Sequence, residues 1–296
     1  MKQIPRPLAV FAAALLLSPF ATVSWAGPIV IEDASFEGYS LSTPMTQEAP
    51  ASYGAWSLIM GNSQIYTDGV SRAAQSGVDF LAMPVGNNPA GDPNQMGDNS
   101  VIIQELDGFI PGVEYRCTYY VCGFNSQAGL KFCNIEVSVL NEPGDLYGFF
   151  VGANTTFLGT EVNPWQKRSF TFTAPTKTGN LRIQVIRNNE DDVYPCFDSF
   201  SIDIVPKGRP KVKLKKPKGK RSTTSRSRIA IKGKVVGILP TEKVIVQVGR
   251  KKKMLTTSGA FRYRAKLKPG RNKIKVRAID IAGTLGKVTK HKVLRE

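Results

Sequence analysis

Apolar side chains recur at every second position in several stretches of this 296-residue chain. In FRYRAKL (261–267), Phe261, Tyr263, Ala265 and Leu267 alternate with Arg262, Arg264 and Lys266. KIKVRAI (273–279) sets Ile274, Val276 and Ala278 against Lys273, Lys275 and Arg277, and IAIKGKV (229–235) sets Ile229, Ile231 and Val235 against Lys232 and Lys234. A period of two puts alternate side chains on opposite faces of a strand. Upstream, SVIIQEL (100–106), VEYRCTYYVCGF (113–124), LKFCNIEVSVL (130–140), QKRSFTFTA (166–174), NLRIQVIR (180–187) and FDSFSIDIV (197–205) are rich in β-branched and aromatic residues, with Gly, Pro, Asn and Asp between them. No window holds a helical period. The predicted fold class is all-β: roughly eight to ten strands as a jelly-roll sandwich over 27–206, then a smaller sandwich over 227–296, apolar inside and basic outside.

Charge divides the chain at the same place. Residues 27–206 hold eight Lys or Arg against twenty acids, and 207–296 hold thirty against three, Glu242, Asp280 and Glu296. Of 27 aromatic residues, 22 lie in the acidic half and only Phe261 and Tyr263 in the basic one. Such a step marks a domain boundary. The stretch VPKGRPKVKLKKPKGKRSTTSRSR (205–228) sits on it, with eleven Lys or Arg and no acid. Its composition builds no core and repels itself, so 207–226 is expected to be an extended basic linker.

The N-terminus sets the compartment. Two positive charges in MKQIPR precede the apolar run PLAVFAAALLLSPFATV, and Ser24-Trp25-Ala26 puts small residues three and one before Gly27. This is the pattern of a secretory signal peptide over 1–26, cleaved after Ala26. The expected location is therefore extracellular or at the cell surface, with the periplasm as a further possibility and no membrane span in the mature chain. Export favours disulfides among Cys117, Cys122, Cys133 and Cys196 over metal thiolates. The expected pairs are Cys122–Cys133, across the hairpin turned by NSQAG, and Cys117–Cys196; buried thiols are the alternative.

Catalytic constellations are scarce. The one histidine, His291, reads as a solvated strand residue between Lys290 and Lys292. HExxH, GxSxG and a Walker loop are absent from the sequence. The loop GNNPAGDPNQMGDNS (86–100) and NNEDD (188–192) read as solvated turns rather than as cation sites.

Ser35-Phe36-Glu37, Trp56, the I-I-Q-x-L of residues 102–106 with Pro111-Gly112 and Tyr115, Trp165 ahead of Phe170-Thr171-Phe172-Thr173-Ala174, and Phe197-Asp198-Ser199-Phe200-Ser201-Ile202 follow one another in order. In this order and spacing the acidic half resembles the jelly-roll, galactose-binding-like carbohydrate-binding modules of secreted bacterial glycoside hydrolases. The resemblance implies a non-catalytic glycan-binding domain. It also implies a structural Ca²⁺ between first and last strands, held by Glu37 and Asp198 with backbone oxygens. Ile231-x-Gly233-x-Val235 and Pro269-Gly270-x-Asn272-x-Ile274-x-Val276-x-Ala278-x-Asp280, then Ala282-Gly283, resemble bacterial immunoglobulin-like domains.

Sugar binding asks for exposed aromatic faces with polar side chains beside them. The candidates are Trp56, Tyr66, Tyr120 and Tyr147, with Trp165 read as core. For polyanions the candidates are Arg262, Arg264, Lys266, Lys273, Lys275 and Arg277, contiguous if their strands share a sheet. With few aromatics to stack on bases, that binding reads charge and not nucleic-acid sequence. The expected function is a secreted, non-catalytic polysaccharide-binding protein attached by its cationic domain to an anionic polymer or cell surface. A structural envelope or matrix protein without a sugar site is the alternative, and a glycoside hydrolase or lyase the remotest one.

Overall fold

The computed structural model describes residues 29–36, 52–61, 64–67, 74–75, 79–83, 99–124, 132–141, 150–159, 164–187 and 194–296. The expected signal segment, Glu37 and Tyr147 lie outside them.

The described residues form nineteen strands and no helix, so the all-β expectation holds. Two sheets come from the acidic half. One runs β1 (Ser52–Tyr53), β2 (Trp56–Met60), β5 (Asn99–Asp107), β10 (Thr178–Arg187), β7 (Phe132–Leu140), β8 (Phe150–Gly159). The other runs β3 (Gln64–Thr67), β4 (Asp79–Ala82), β11 (Tyr194–Ile204), β6 (Glu114–Phe124), β9 (Gln166–Thr173). Their facing sides share one core, with Ile102, Leu106, Leu181, Ile183, Val185, Ile135 and Val137 from the first sheet and Leu81, Tyr115, Cys117, Tyr119, Val121, Phe197 and Ile202 from the second. The alternation seen in the sequence is what delivers one side of each strand to this layer.

The basic half contributes two more sheets. β12 (Lys211–Lys216), β14 (Arg228–Val236) and β17 (Ala260–Lys266) form one. The other runs β13 (Arg221–Thr224), β19 (Thr289–Arg295), β18 (Gly270–Asp280), β15 (Thr241–Val248), β16 (Lys251–Thr256). Between them pack Val212, Ile231, Val244, Val246, Phe261, Ala265, Ile274, Val276 and Val293.

The stretch 207–226 is a correction to the sequence reading, because it is built into this second sandwich. β12 pairs antiparallel with β14, and β13 pairs parallel with β19. Val212 is buried, since KVKLKK alternates as its neighbours do. The stretch passes so close to residue 286 that a Cβ there would stand 2.2 Å from the Pro210 carbonyl oxygen, so only glycine fits. His291 also departs from its reading. It is 1% exposed, with Nδ1 2.8 Å from the Gly219 carbonyl and Nε2 2.9 Å from the Ser222 hydroxyl, and it ties the turn before β13 to the last strand. The charge density of 205–228 suggested a linker, but backbone pairing depends on strand geometry and on one apolar face, and Val212 and Leu214 supply that face.

The boundary between the halves is packed. Leu239, 6% exposed, joins the core of the acidic half, with Ile281 and Ala282 against it. Lys207 Nζ lies 2.7 Å from Glu114 of β6, and the Val205 N–H donates to the Glu114 carbonyl.

Candidate binding surfaces

The two triplets of cations proposed from sequence do not form one patch. β17, with Arg262, Arg264 and Lys266, lies in the three-stranded sheet; β18, with Lys273, Lys275 and Arg277, lies in the five-stranded one. They face outward on opposite sides of the sandwich, because strands with inward apolar faces were joined into two sheets rather than one.

Each triplet instead gathers new neighbours. On the five-stranded sheet, Lys273 is opposite Lys292, and Lys292 is opposite Arg221. Lys275 is opposite Lys290 on one side and Gln247 on the other, and Gln247 is opposite Lys252. Alternation adds Arg271, Arg277 and Lys243 to the same side. Nine Lys or Arg thus share one sheet face. Neighbouring strands stand about 4.8 Å apart and alternate residues of one strand nearly 7 Å apart, so the charges form a lattice of that spacing. Of the three acids in this half, Asp280 is 1% exposed and accepts from the Ala282 and Thr284 N–H groups, and Glu242 pairs with Lys243 at the margin. At one end Arg221, Arg271, Lys273 and Lys292 line an open groove of about 730 Å³ that also holds Leu294. On the other outer face, Arg262 is opposite Lys232, and Lys266 is opposite Arg228.

The aromatic candidates for sugar are redistributed. Trp56 is no platform: it is fully buried, 5.4 Å from Phe36 and 5.7 Å from Phe200, and its Nε1–H donates to the Asp33 carbonyl at 3.3 Å. Placed first in β2, with Gly54 turning the chain before it, its ring is aimed into the core. Tyr120 is half-buried on the outer side of the sheet formed by β3, β4, β11, β6 and β9, with Lys167 Nζ 5.8 Å from its ring centroid. Tyr119 points inward and stacks on Phe200. Tyr66 is opposite Phe80 in register, and its side chain is outside the described residues. Trp165 is half-buried and packs edge-on to Phe80, in a small cluster outside the sandwich core.

A polar row that the sequence reading passed over lies on the outer side of the other sheet. Arg182 of β10 reaches Glu136 of β7 at 2.6 Å and Gln184 at 2.7 Å, and Gln184 donates to Asn99 at 3.1 Å. Ser138 and Asn180 adjoin it, both fully buried. Its signal was present in Asn134-x-Glu136-x-Ser138 and Asn180-x-Arg182-x-Gln184, polar residues at alternate positions in strands whose other side is apolar.

Asp198 is fully buried at the β-bulge of β11, beside Ser199 in the left-handed region (φ 53°). It accepts from the Gln75 N–H at 2.9 Å and the Ser199 hydroxyl at 3.1 Å, so it clamps the loop at 74–75 onto the sheet. Among the described residues, no three His, Cys, Asp or Glu side chains gather as a metal site. Glu37, its expected partner on a Ca²⁺, lies outside the described residues.

The four cysteines are buried thiols, which corrects both expected disulfides. Cys117 and Cys133 belong to the core of the acidic half. Cys122 and Cys196 belong to a separate cluster with Phe80, Ala82 and Trp165 on the far side of the sheet. Each expected pair would therefore cross a sheet. Burial pushes the Cys133 thiol up to about 12 and raises Cys117 further.

No family model and no curated protein matches the chain. Solved structures similar to it include carbohydrate-binding modules. One is a family-61 module in complex with β-1,4-galactotriose, at 13% identity and TM-score 0.37, covering 59% of this chain and 97% of that one. Another is a family-4 module, at 14% identity and TM-score 0.36, covering 60% and 100%. The adhesin domain of Epf from Streptococcus pyogenes is similar over 82% of this chain and 92% of its own, at 9% identity and TM-score 0.44.

Proposed function

We propose that this is an exported, non-catalytic binding protein that holds an anionic polymer with its second sandwich and a polysaccharide with its first. The observation that carries the reading is the face of nine cations, with its acids either buried or at the margin. A flat lattice of charges at strand spacing suits a repeating chain of sulfates, phosphates or carboxylates. Binding releases the counterions condensed on such a chain, so it weakens steeply with salt. Nothing on this face offers a ring to a base, and sequence readout is not part of the reading. The experiment is retention of the full chain on immobilised heparin. Lys273→Glu, Lys275→Glu and Lys292→Glu together should elute at much lower salt than Arg262→Glu, Arg264→Glu and Lys266→Glu together. Equal elution of both variants with the native protein makes the cations a solubilising surface and ends the proposal.

The glycan reading of the first sandwich is supported by the half-buried Asn99, Gln184 and Glu136, amide and carboxylate groups of the kind that bond sugar hydroxyls, held in place by the buried Arg182. Its test is a glycan array at high salt, where the cationic face is silent, comparing the native chain with Gln184→Ala. Loss of a neutral-glycan signal in the variant supports the reading; a blank array for the native chain removes it.

A further inference from the structure

We infer that Cys122 and Cys196 form a cross-strand disulfide on oxidation, while Cys117 and Cys133 remain thiols. The topology selects a pair that the sequence reading did not favour.

Cys122 of β6 and Cys196 of β11 are direct partners in the antiparallel register. Direct antiparallel partners have Cα atoms about 4.5–5.5 Å apart, with side chains on one side of the sheet. Disulfides need Cα atoms about 4.4–6.8 Å apart, so this pair closes without moving a strand. The register is regular here; the bulge in β11 begins beyond Asp198. Both residues are fully buried, in one cluster with Phe80 and Ala82 and with Trp165 against it.

The other pairings fail on geometry. Cys117 and Cys122 are an odd number of positions apart on one strand and face opposite ways. Cys133 is on β7, in the opposing sheet, and points into the core with Cys117. Facing sheets stand about 10 Å apart, beyond the roughly 7 Å that a disulfide spans. The raised thiols of Cys117 and Cys133 also withhold the thiolate that exchange needs.

The oxidant is a small disulfide such as oxidised glutathione. One protein thiolate attacks it, releasing one glutathione thiol and leaving a mixed disulfide. The second protein thiolate displaces the other glutathione thiol and closes the bond. Two protons and two electrons leave the protein, and one glutathione disulfide becomes two thiols. The bond joins β6 to β11 two residues before Asp198, which holds Gln75. It closes a long loop of chain, the case in which a cross-link most constrains the unfolded state.

The full-length protein is refolded with oxidised and reduced glutathione, denatured, alkylated and weighed. Two alkyl groups are expected, rising to four after prior reduction. Trypsin should yield the peptide 117–131 linked to 188–207, and Cys133 unlinked within 132–167. The first peptide contains both Cys117 and Cys122, so fragmentation of the linked species must place the bond on Cys122. Independently, the link should persist in Cys117→Ala and vanish in Cys122→Ala and in Cys196→Ala. The oxidised native protein should melt above its reduced form, and the melting of Cys122→Ala should ignore reductant. Four alkylated thiols after oxidation, or a link through Cys133 or Cys117, overturns the inference.

Discussion

Neutralising Lys273, Lys275 and Lys292 to Gln tests the cationic face by its charge count. The three side chains sit side by side: Lys273 is opposite Lys292, and Lys275 is the next outward residue along β18. Glutamine keeps a polar chain of similar length, and removing like charges from a crowded face relieves repulsion, so the fold should persist. Duplex DNA is the probe, as a polyanion of known charge spacing and not as a proposed ligand. The log–log slope of affinity against salt is about −0.9 per phosphate neutralised, so loss of three contacts should flatten it by about 2.7. Between 50 and 200 mM salt the native protein should therefore lose roughly 40-fold more affinity than the variant. Fluorescence anisotropy with a labelled duplex over that range measures the slope, and two unrelated duplex sequences should give the same value. Arg262→Gln, Arg264→Gln and Lys266→Gln, on the opposite face, serve as the control. An unchanged slope in the first variant refutes the reasoning; a change confined to the control moves the site to the three-stranded sheet.

Trp56→Ala should cost about 3–5 kcal/mol of stability by urea unfolding, because it removes a fully buried ring; native stability would return Trp56 to the surface. Arg182→Met should cost about 1–3 kcal/mol, since it leaves Glu136 half-buried without its partner; no change by the same assay would make the ion pair incidental. Buried Cys117 and Cys133 have raised pKa values, so above the ordinary thiol value of 9.0 the unfolded chain loses protons that the folded chain keeps. Stability should thus fall with rising pH by about 1.4 kcal/mol per thiol per unit, from about pH 9 towards 12. The Cys117→Ala, Cys133→Ala double variant should show a shallower fall, and an equal fall would contradict that burial. Hydrogen exchange should find amides of 211–216 protected as part of β12; exchange at free-chain rates would restore the linker reading.

Period-two alternation was enough to determine an all-β chain, and the charge step was enough to separate an acidic half from a basic one. Both are local properties: a strand displays its pattern in a handful of residues, and composition needs no partner. The alternation also determined which side of each strand is cationic. It did not determine which strands become neighbours, because register and sheet order depend on contacts between residues far apart in the chain. That is why Arg264 and Lys275 turned out to lie on opposite sides, why Cys196 meets Cys122 rather than Cys117, and why Lys211–Lys216 is a strand despite its charge. Burial is likewise a property of the assembled layers. Trp56 and His291 carry the same residue types whether solvated or enclosed, and only the packing of Phe36 and Phe200 around the one, and of Gly219 and Ser222 against the other, decided it.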